Sequence, residues 1–228
     1  MKKNRLNRRF EEDIWGLITI KSKPNKVTRF FQSLIKEKYS FKNKKSVVYR
    51  VEVTKPKRKK LVLSHYGKML AFRRKLSAFY GNIRQKDLIN IIKKVPLKKE
   101  VLSDGIIDRL ESRLESLVYR LNFASSVREA RKEIMRGAVS VNKSVVKVPG
   151  YEVSIGDIVE INPGYRKEIH SKILNRVENG HVFTNVPTYL EVNYKILAGC
   201  KISEAAYKNV AYPFKLKENY FKSFIMGK

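Results

Sequence analysis

Residues 109–161, RLESRLESLVYRLNFASSVREARKEIMRGAVSVNKSVVKVPGYEVSIGDIVEI, constrain the fold more than any other part of the chain. Apolar residues recur at helical spacing up to Ile134, and beyond Gly137 they alternate as in strands. Charge sets the same region apart. The chain holds 50 Lys and Arg against 21 Asp and Glu, a net +29, yet residues 101–161 hold nine of each kind. A patterned, balanced segment inside so cationic a chain places its charges individually rather than accumulating them.

Leu110, Leu114, Leu117, Val118 and Leu121 predict one helix over 108–122. On a wheel of ~100° per residue, Arg109, Arg113 and Arg120 fall within about 40° of each other. On that wheel Glu111 and Glu115 lie beyond the far side of the apolar stripe. Ser126 and Glu129 form a capping box that opens a second helix. This helix carries Arg128, Arg131, Lys132 and Arg136 opposite Val127, Ala130 and Ile134, and Gly137 is its expected C-cap. Val139 and Val141, an Asn142-Lys143 turn, the return through Val145, Val146 and Val148, and Ile158–Ile161 predict a small β-sheet. Lys143 stands where a type I′ turn favours Gly, which leaves the turn type open.

Upstream, a helix over 63–79 precedes a break at Gly81-Asn82, and Asn82 with Gln85 resembles a capping box. Leu88, Ile91, Ile92 and Val95 then form a stripe ending before Pro96. Residues 1–60 hold 20 basic and five acidic residues with poor periodicity, the pattern of a basic arm that orders on a partner. Residues 187–192 and 220–225 read as strands or extended packing segments, and Tyr212-Pro213 as a turn. The expected class is α+β, in three parts: a basic N-terminal arm over 1–60, a small helical domain over 61–108 completed by 162–228, and a module over 109–161. The module is two helices in an L shape packed on a small sheet.

A net charge of +29 calls for a polyanionic partner, and nucleic acid fits it better than an anionic membrane surface. No window holds the ~20 apolar residues of a membrane span. Glu11, Glu12 and Asp13 interrupt the basic N-terminus and argue against a transit peptide. Cys200 is the sole cysteine, read as a buried structural thiol, and His65, His170 and His181 lack metal-ligand spacing, so neither a metal nor a cofactor is expected. No P-loop, GxGxxG or paired catalytic carboxylates occur, which argues against an enzyme. Arginine is concentrated in the module: residues 101–161 use six Arg and three Lys, whereas the rest of the chain uses 11 Arg and 30 Lys. Arginine's planar fork binds phosphate oxygens in pairs. Surface ion pairs with Glu129 and Glu133 are the competing explanation of those arginines.

The stretch LESRLESLVYRLNFASSVREARKEI with VNKSVVKVPGYEVSIGDIVEI resembles the RNA-binding module of the small-subunit ribosomal protein four family, in its bacterial and organellar form. The same module recurs in pseudouridine synthases and some aminoacyl-tRNA synthetases. LSHYGKMLAFRRKLSAFYG (63–81) and VPTYLEV (186–192) resemble segments that flank it in the ribosomal family, so the likeness runs over about 61–228. Residues 1–60 match only through Arg5, Arg8 and Arg9. The resemblance implies a non-catalytic protein of the small ribosomal subunit. It would bind ribosomal RNA at a multi-helix junction early in assembly, near where mRNA enters and beside small-subunit proteins three and five. Expected RNA contacts on these grounds are Arg5, Arg8 and Arg9, then Arg73, Arg74 and Lys75. Within the module they are Arg109, Arg113, Arg120, Ser125, Ser126, Arg128, Arg131, Lys132, Arg136, Asn142 and Lys143. The zinc-binding cysteines of many bacterial members are missing here, and Asn122 replaces a usual Gly. A pseudouridine synthase is the alternative, but residues 162–228 contain no Asp to serve as its catalytic group. Heavy use of Lys, Asn, Ile, Tyr and Phe points to an AT-rich genome and a mitochondrial ribosome, with a plastid or a bacterial cytoplasm as alternatives.

Overall fold

The computed structural model describes residues 64–95, 102–178, 186–210 and 212. The basic arm, His181, Pro213 and the 220–225 segment lie outside the described residues. Those described fall into two compact units, 64–79 with 212, and 80–210.

The first unit is helix α1 (His65–Phe79), capped where Gly67 N–H donates to Ser64 Oγ at 3.2 Å. Met69, Phe72, Leu76 and Phe79 form its buried side, and the Phe79 ring lies 5.1 Å from that of Tyr212. Arg73, Arg74 and Lys75 are on this helix.

The second unit begins with α2 (Gln85–Lys93), whose Leu88, Ile91 and Ile92 are buried along with Val95, as their spacing predicts. The Asn82–Gln85 capping box does not form: Arg84 is the N-cap, without a side-chain cap. Asn82 instead takes a left-handed conformation (φ 67°) after Gly81.

The expected single helix over 108–122 is two helices, α3 (Leu102–Glu111) and α4 (Leu114–Arg120). The cause is a backbone segment that returns from later in the chain. Leu114 N–H donates to Tyr151 O at 2.9 Å and Glu115 N–H to Pro149 O at 3.1 Å. Val153 N–H takes Ser112 O at 2.8 Å, and Arg113 turns extended at φ −67°, ψ 134°. The amides that a continuous helix would bond internally are thus satisfied from 149–151, and the wheel that grouped Arg109 with Arg113 and Arg120 does not apply.

Helix α4 ends in a Schellman motif: Phe123 N–H reaches Val118 O (3.1 Å) and Asn122 N–H reaches Tyr119 O (3.1 Å). Asn122 has φ 62°, a conformation asparagine tolerates in place of glycine. Helix α5 (Val127–Met135) opens on Ser126, whose Oγ accepts from Glu129 N–H at 3.3 Å. Glu129 does not complete the box on Ser126 but accepts from Ser125 N–H (2.7 Å) and from the Ser125 hydroxyl. The helix closes in a second Schellman motif at Gly137 (φ 80°), with Ala138 N–H bonded to Glu133 O.

Strands β1 (Val139–Val141), β2 (Ser144–Val145) and β3 (Ile158–Ile161) form the expected sheet. Asn142 (φ 49°) and Lys143 (φ 67°) both take positive φ, so the turn is of the I′ kind despite its lysine. The sheet is larger than the sequence predicts. After α6 (Pro163–Glu178), β4 (Leu190–Asn193) and β5 (Ala198–Lys201) add two strands, giving the antiparallel order β2-β1-β3-β5-β4. Residues 190–201 therefore extend the module's own sheet. A short 3₁₀ turn, Tyr207–Asn209, follows, with Tyr207 N–H donating to Asp104 Oδ1 at 2.7 Å. Cys200 lies in β5 and is half-exposed rather than buried.

At Gly199 the end of α4 comes down on β5. A Cβ there would stand 2.5 Å from Leu121 Cδ2 and 2.9 Å from Glu191 O. Gly199→Ala should therefore lower stability by about 1–3 kcal/mol, the usual range for overpacking. A urea titration would show this as a lower midpoint with unchanged slope.

Candidate RNA-binding surface

The module's charge balance is explained by its acids, each of which has a partner within the fold. Glu111 is fully buried and accepts from four donors: Arg120 Nε (3.0 Å) and Nη2 (2.7 Å), Tyr80 OH (2.6 Å) and Tyr189 OH (2.9 Å). Burial by itself would raise this carboxyl. The Arg120 charge and hydrogen bonds, with those of the two tyrosines, outweigh it and hold the group below the ordinary 4.5. Asp108 Oδ1 accepts from Lys201 Nζ at 2.8 Å and from Ala205 N–H at 2.9 Å. Asp157 bridges Asn142 Nδ2 and Ser154 N–H, which fixes the β1–β2 turn against the start of β3. Glu160 meets Arg166.

This corrects the expectation that the module's arginines stand apart from its acids. Arg109, Arg113, Arg120, Arg131 and Arg136 all form ion pairs. Arg109 pairs with Glu152 (2.7 Å), Arg113 and Arg131 share Glu115, Arg120 pairs with Glu111, and Arg136 bridges Glu133 and Glu168. Arg120 is buried and committed to Glu111, so it drops out as a surface contact. Ion pairing, the competing explanation, holds for most of these side chains, but of its two expected acids only Glu133 takes part in these pairs, with Arg136; the other partners are Glu111, Glu115, Glu152 and Glu168.

The basic face of α5 survives this correction in part. Arg128 and Arg131 are half-buried at its margin, and Lys132 and Arg136 are exposed, while Val127, Ala130 and Ile134 face the core. Glu129 and Glu133 point the other way, towards α6, where Lys172 Nζ donates to Glu133 Oε1 at 2.9 Å. Arg136 also lies 4.9 Å above the Tyr165 ring, held by α6 as well as by its own helix. Asn142 and Lys143 are exposed at the hairpin tip. Lys147, which sequence reasoning passed over, is exposed, and its Cε comes within 3.5 Å of where a Gly137 Cβ would be. Its position after the hairpin return was the available signal. Among the described residues, Lys132, Lys143 and Lys147 have no hydrogen-bond or ion-pair partner. The arrangement is a face of free ammonium groups beside guanidinium groups held by buried acids. Ser125 and Ser126 are occupied at the helix cap by Glu129.

The S4 domain family model matches residues 112–159, the stretch from the α3–α4 break to β3. A small ribosomal subunit protein uS4 from Gluconacetobacter diazotrophicus is 31% identical over 168 residues, covering 73% of this chain and 80% of the relative. The chain belongs to the small ribosomal subunit protein uS4 family. A second uS4 relative, from Granulibacter bethesdensis, is 30% identical over 68% of this chain and 74% of its own length. A uS4m protein from Acanthamoeba castellanii is 28% identical over 187 residues, 82% of this chain and 50% of the relative. In uS4 terms, the matched domain contains α4, α5 and the hairpin, so the face just described belongs to the family's shared domain. Strands β4 and β5 complete its sheet from outside the matched residues. Membership of this family also sets aside the pseudouridine synthase alternative: the relatives are ribosomal proteins, not enzymes.

Proposed function

We propose that this chain is a structural protein of the small ribosomal subunit and that it binds ribosomal RNA through the α5 face and the 142–143 turn. The observation that carries this is the partition of charge in the uS4-family module: its acids are engaged within the fold, whereas Lys132, Lys143 and Lys147 are exposed and have no partner among the described residues. Phosphate neutralisation by such cations, with shape recognition of folded RNA, is the mechanism. Arg5, Arg8, Arg9, Arg73, Arg74 and Lys75 would add contacts from the rest of the chain. The family resemblance supports an RNA site at a multi-helix junction, with small-subunit proteins three and five as neighbours near the point where mRNA enters. The compartment we propose is the mitochondrial matrix, supported by the uS4m relative and by the Lys-, Asn- and Ile-rich composition.

A tagged chain should sediment with the small subunit in gradients prepared from purified mitochondria, and release from it at high salt. Recovery only at the top of the gradient would refute the ribosomal assignment. Recovery with cytoplasmic or plastid small subunits would refute the compartment alone.

A further inference from the structure

Among the described residues, Glu115 is the one acid of the module that holds two arginines, and neither of them is buried. Its side chain is 1% exposed, whereas those of Arg113 and Arg131 are 16% and 31% exposed. Oε1 accepts from Arg113 Nε (3.0 Å) and Nη2 (2.9 Å), and Oε2 accepts from Arg131 Nε (2.7 Å). Arg131 Nη1 also reaches Gly81 O at 3.4 Å. Arg113 Nη1 and Arg131 Nη2 donate no hydrogen bond to any described residue. The two guanidinium groups are tied to the two oxygens of one carboxylate. Gly150 helps to seat the first: a Cβ there would meet Arg113 Nη2 at 3.1 Å, Nη1 at 3.4 Å and Cζ at 3.5 Å, so the group lies flat over a bare Cα. The carboxylate is buried and fixed by α4, so it removes rotamer freedom from both long side chains before any ligand arrives.

We infer that Glu115 is a positioning residue for RNA, holding Arg113 and Arg131 as a preset two-guanidinium fork for a backbone phosphate. This rests on the RNA-binding reading above and adds to it an acid that helps a polyanion bind. An acid near a phosphate site ordinarily weakens binding by repulsion. Here its neutralisation by two arginines leaves a net +1, and the gain is a fork whose outward N–H groups need no ordering.

The test turns on the sign of the effect. Glu115→Gln raises the chain's charge by one, so a purely electrostatic role predicts tighter RNA binding. A positioning role predicts weaker binding, by roughly tenfold, because a carboxamide has one acceptor oxygen and cannot hold both forks. The full chain and its variants would be titrated against a small-subunit ribosomal RNA fragment at several salt concentrations, with circular dichroism and melting confirming the fold. Glu115→Gln binding as tightly as the parent, or more tightly, overturns the inference. If that variant does not fold, Arg113→Lys and Arg131→Lys decide: both keep the charge and lose the fork. Each should bind several-fold more weakly, and parental affinity in both overturns the inference equally. Failure of the unmodified chain to bind the fragment would sink the RNA-binding reading itself, and is read separately.

Discussion

Arg120→Met should destabilise the protein by about 3–5 kcal/mol, the range for removing one partner of a buried ion pair. The carboxyl of Glu111 would be left fully buried with two tyrosine hydroxyls and no counter-charge. Replacing Glu111 as well, with Leu, should recover only part of this. The double change removes the stranded charge but also removes the carboxylate to which the Tyr80 and Tyr189 hydroxyls donate, and losing a buried hydrogen-bond acceptor costs about 1–3 kcal/mol. The network joins residues 80, 111, 120 and 189, so its loss should loosen the α3–α4 break and the approach to β4 together. It also sets an acid limit on stability. The folded Glu111 carboxyl lies below its ordinary 4.5, so its contribution is present above about that pH and is lost as pH falls through the lower folded value. Urea midpoints measured from pH 7 downwards should fall for the parent chain, and fall less for the Glu111→Leu, Arg120→Met pair.

Charge reversal at the exposed lysines should act on RNA instead of on the fold. Lys132 and Lys143 are exposed and have no partner among the described residues, so Lys132→Glu with Lys143→Glu should leave stability within about 0.5 kcal/mol. If both meet phosphate, the plot of log affinity against log salt should become shallower by about two. Affinity for small-subunit RNA should fall on the order of 10–100-fold at moderate salt, since reversal adds repulsion to the lost contacts. Arg120→Met makes the useful contrast: its effect belongs to folding, and at temperatures where it stays folded its salt slope should match the parent's. An unchanged slope in the double lysine variant would remove α5 and the hairpin from the interface.

The helices over 65–79, 85–93 and 127–135 were legible because their apolar residues recur at the helical period, although of the two capping boxes read from the sequence only the Ser126 cap forms. Gly137 and the Asn142-Lys143 turn were legible for the same local reasons, and Asn122 only through the family resemblance. What the sequence concealed was non-local. The break at Ser112–Arg113 depends on carbonyls from 149–151, some 35 residues away, and no window around Arg113 contains them. Strand β5, AGCK, is too short and too poor in β-branched residues to be read as a strand, and it exists because β3 and β4 flank it. The site misread follows from the first of these. Arg109, Arg113 and Arg120 were grouped by a helix that does not run through: the acid of Arg109, Glu152, is distant in sequence, that of Arg120, Glu111, lies across the break, and that of Arg113, Glu115, is two residues on, within reach because Arg113 is extended.

On this reading the module turns the exposed Lys132 of α5 and Lys143 of the hairpin tip towards small-subunit RNA. A cryo-EM map of the native small subunit containing this chain tests it directly. RNA backbone density should lie within hydrogen-bond reach of Lys132, Lys143 and the Arg113–Arg131 pair, with Glu111 and Arg120 enclosed in protein. A map in which that face looks onto solvent or protein, with RNA held elsewhere on the chain, would contradict it.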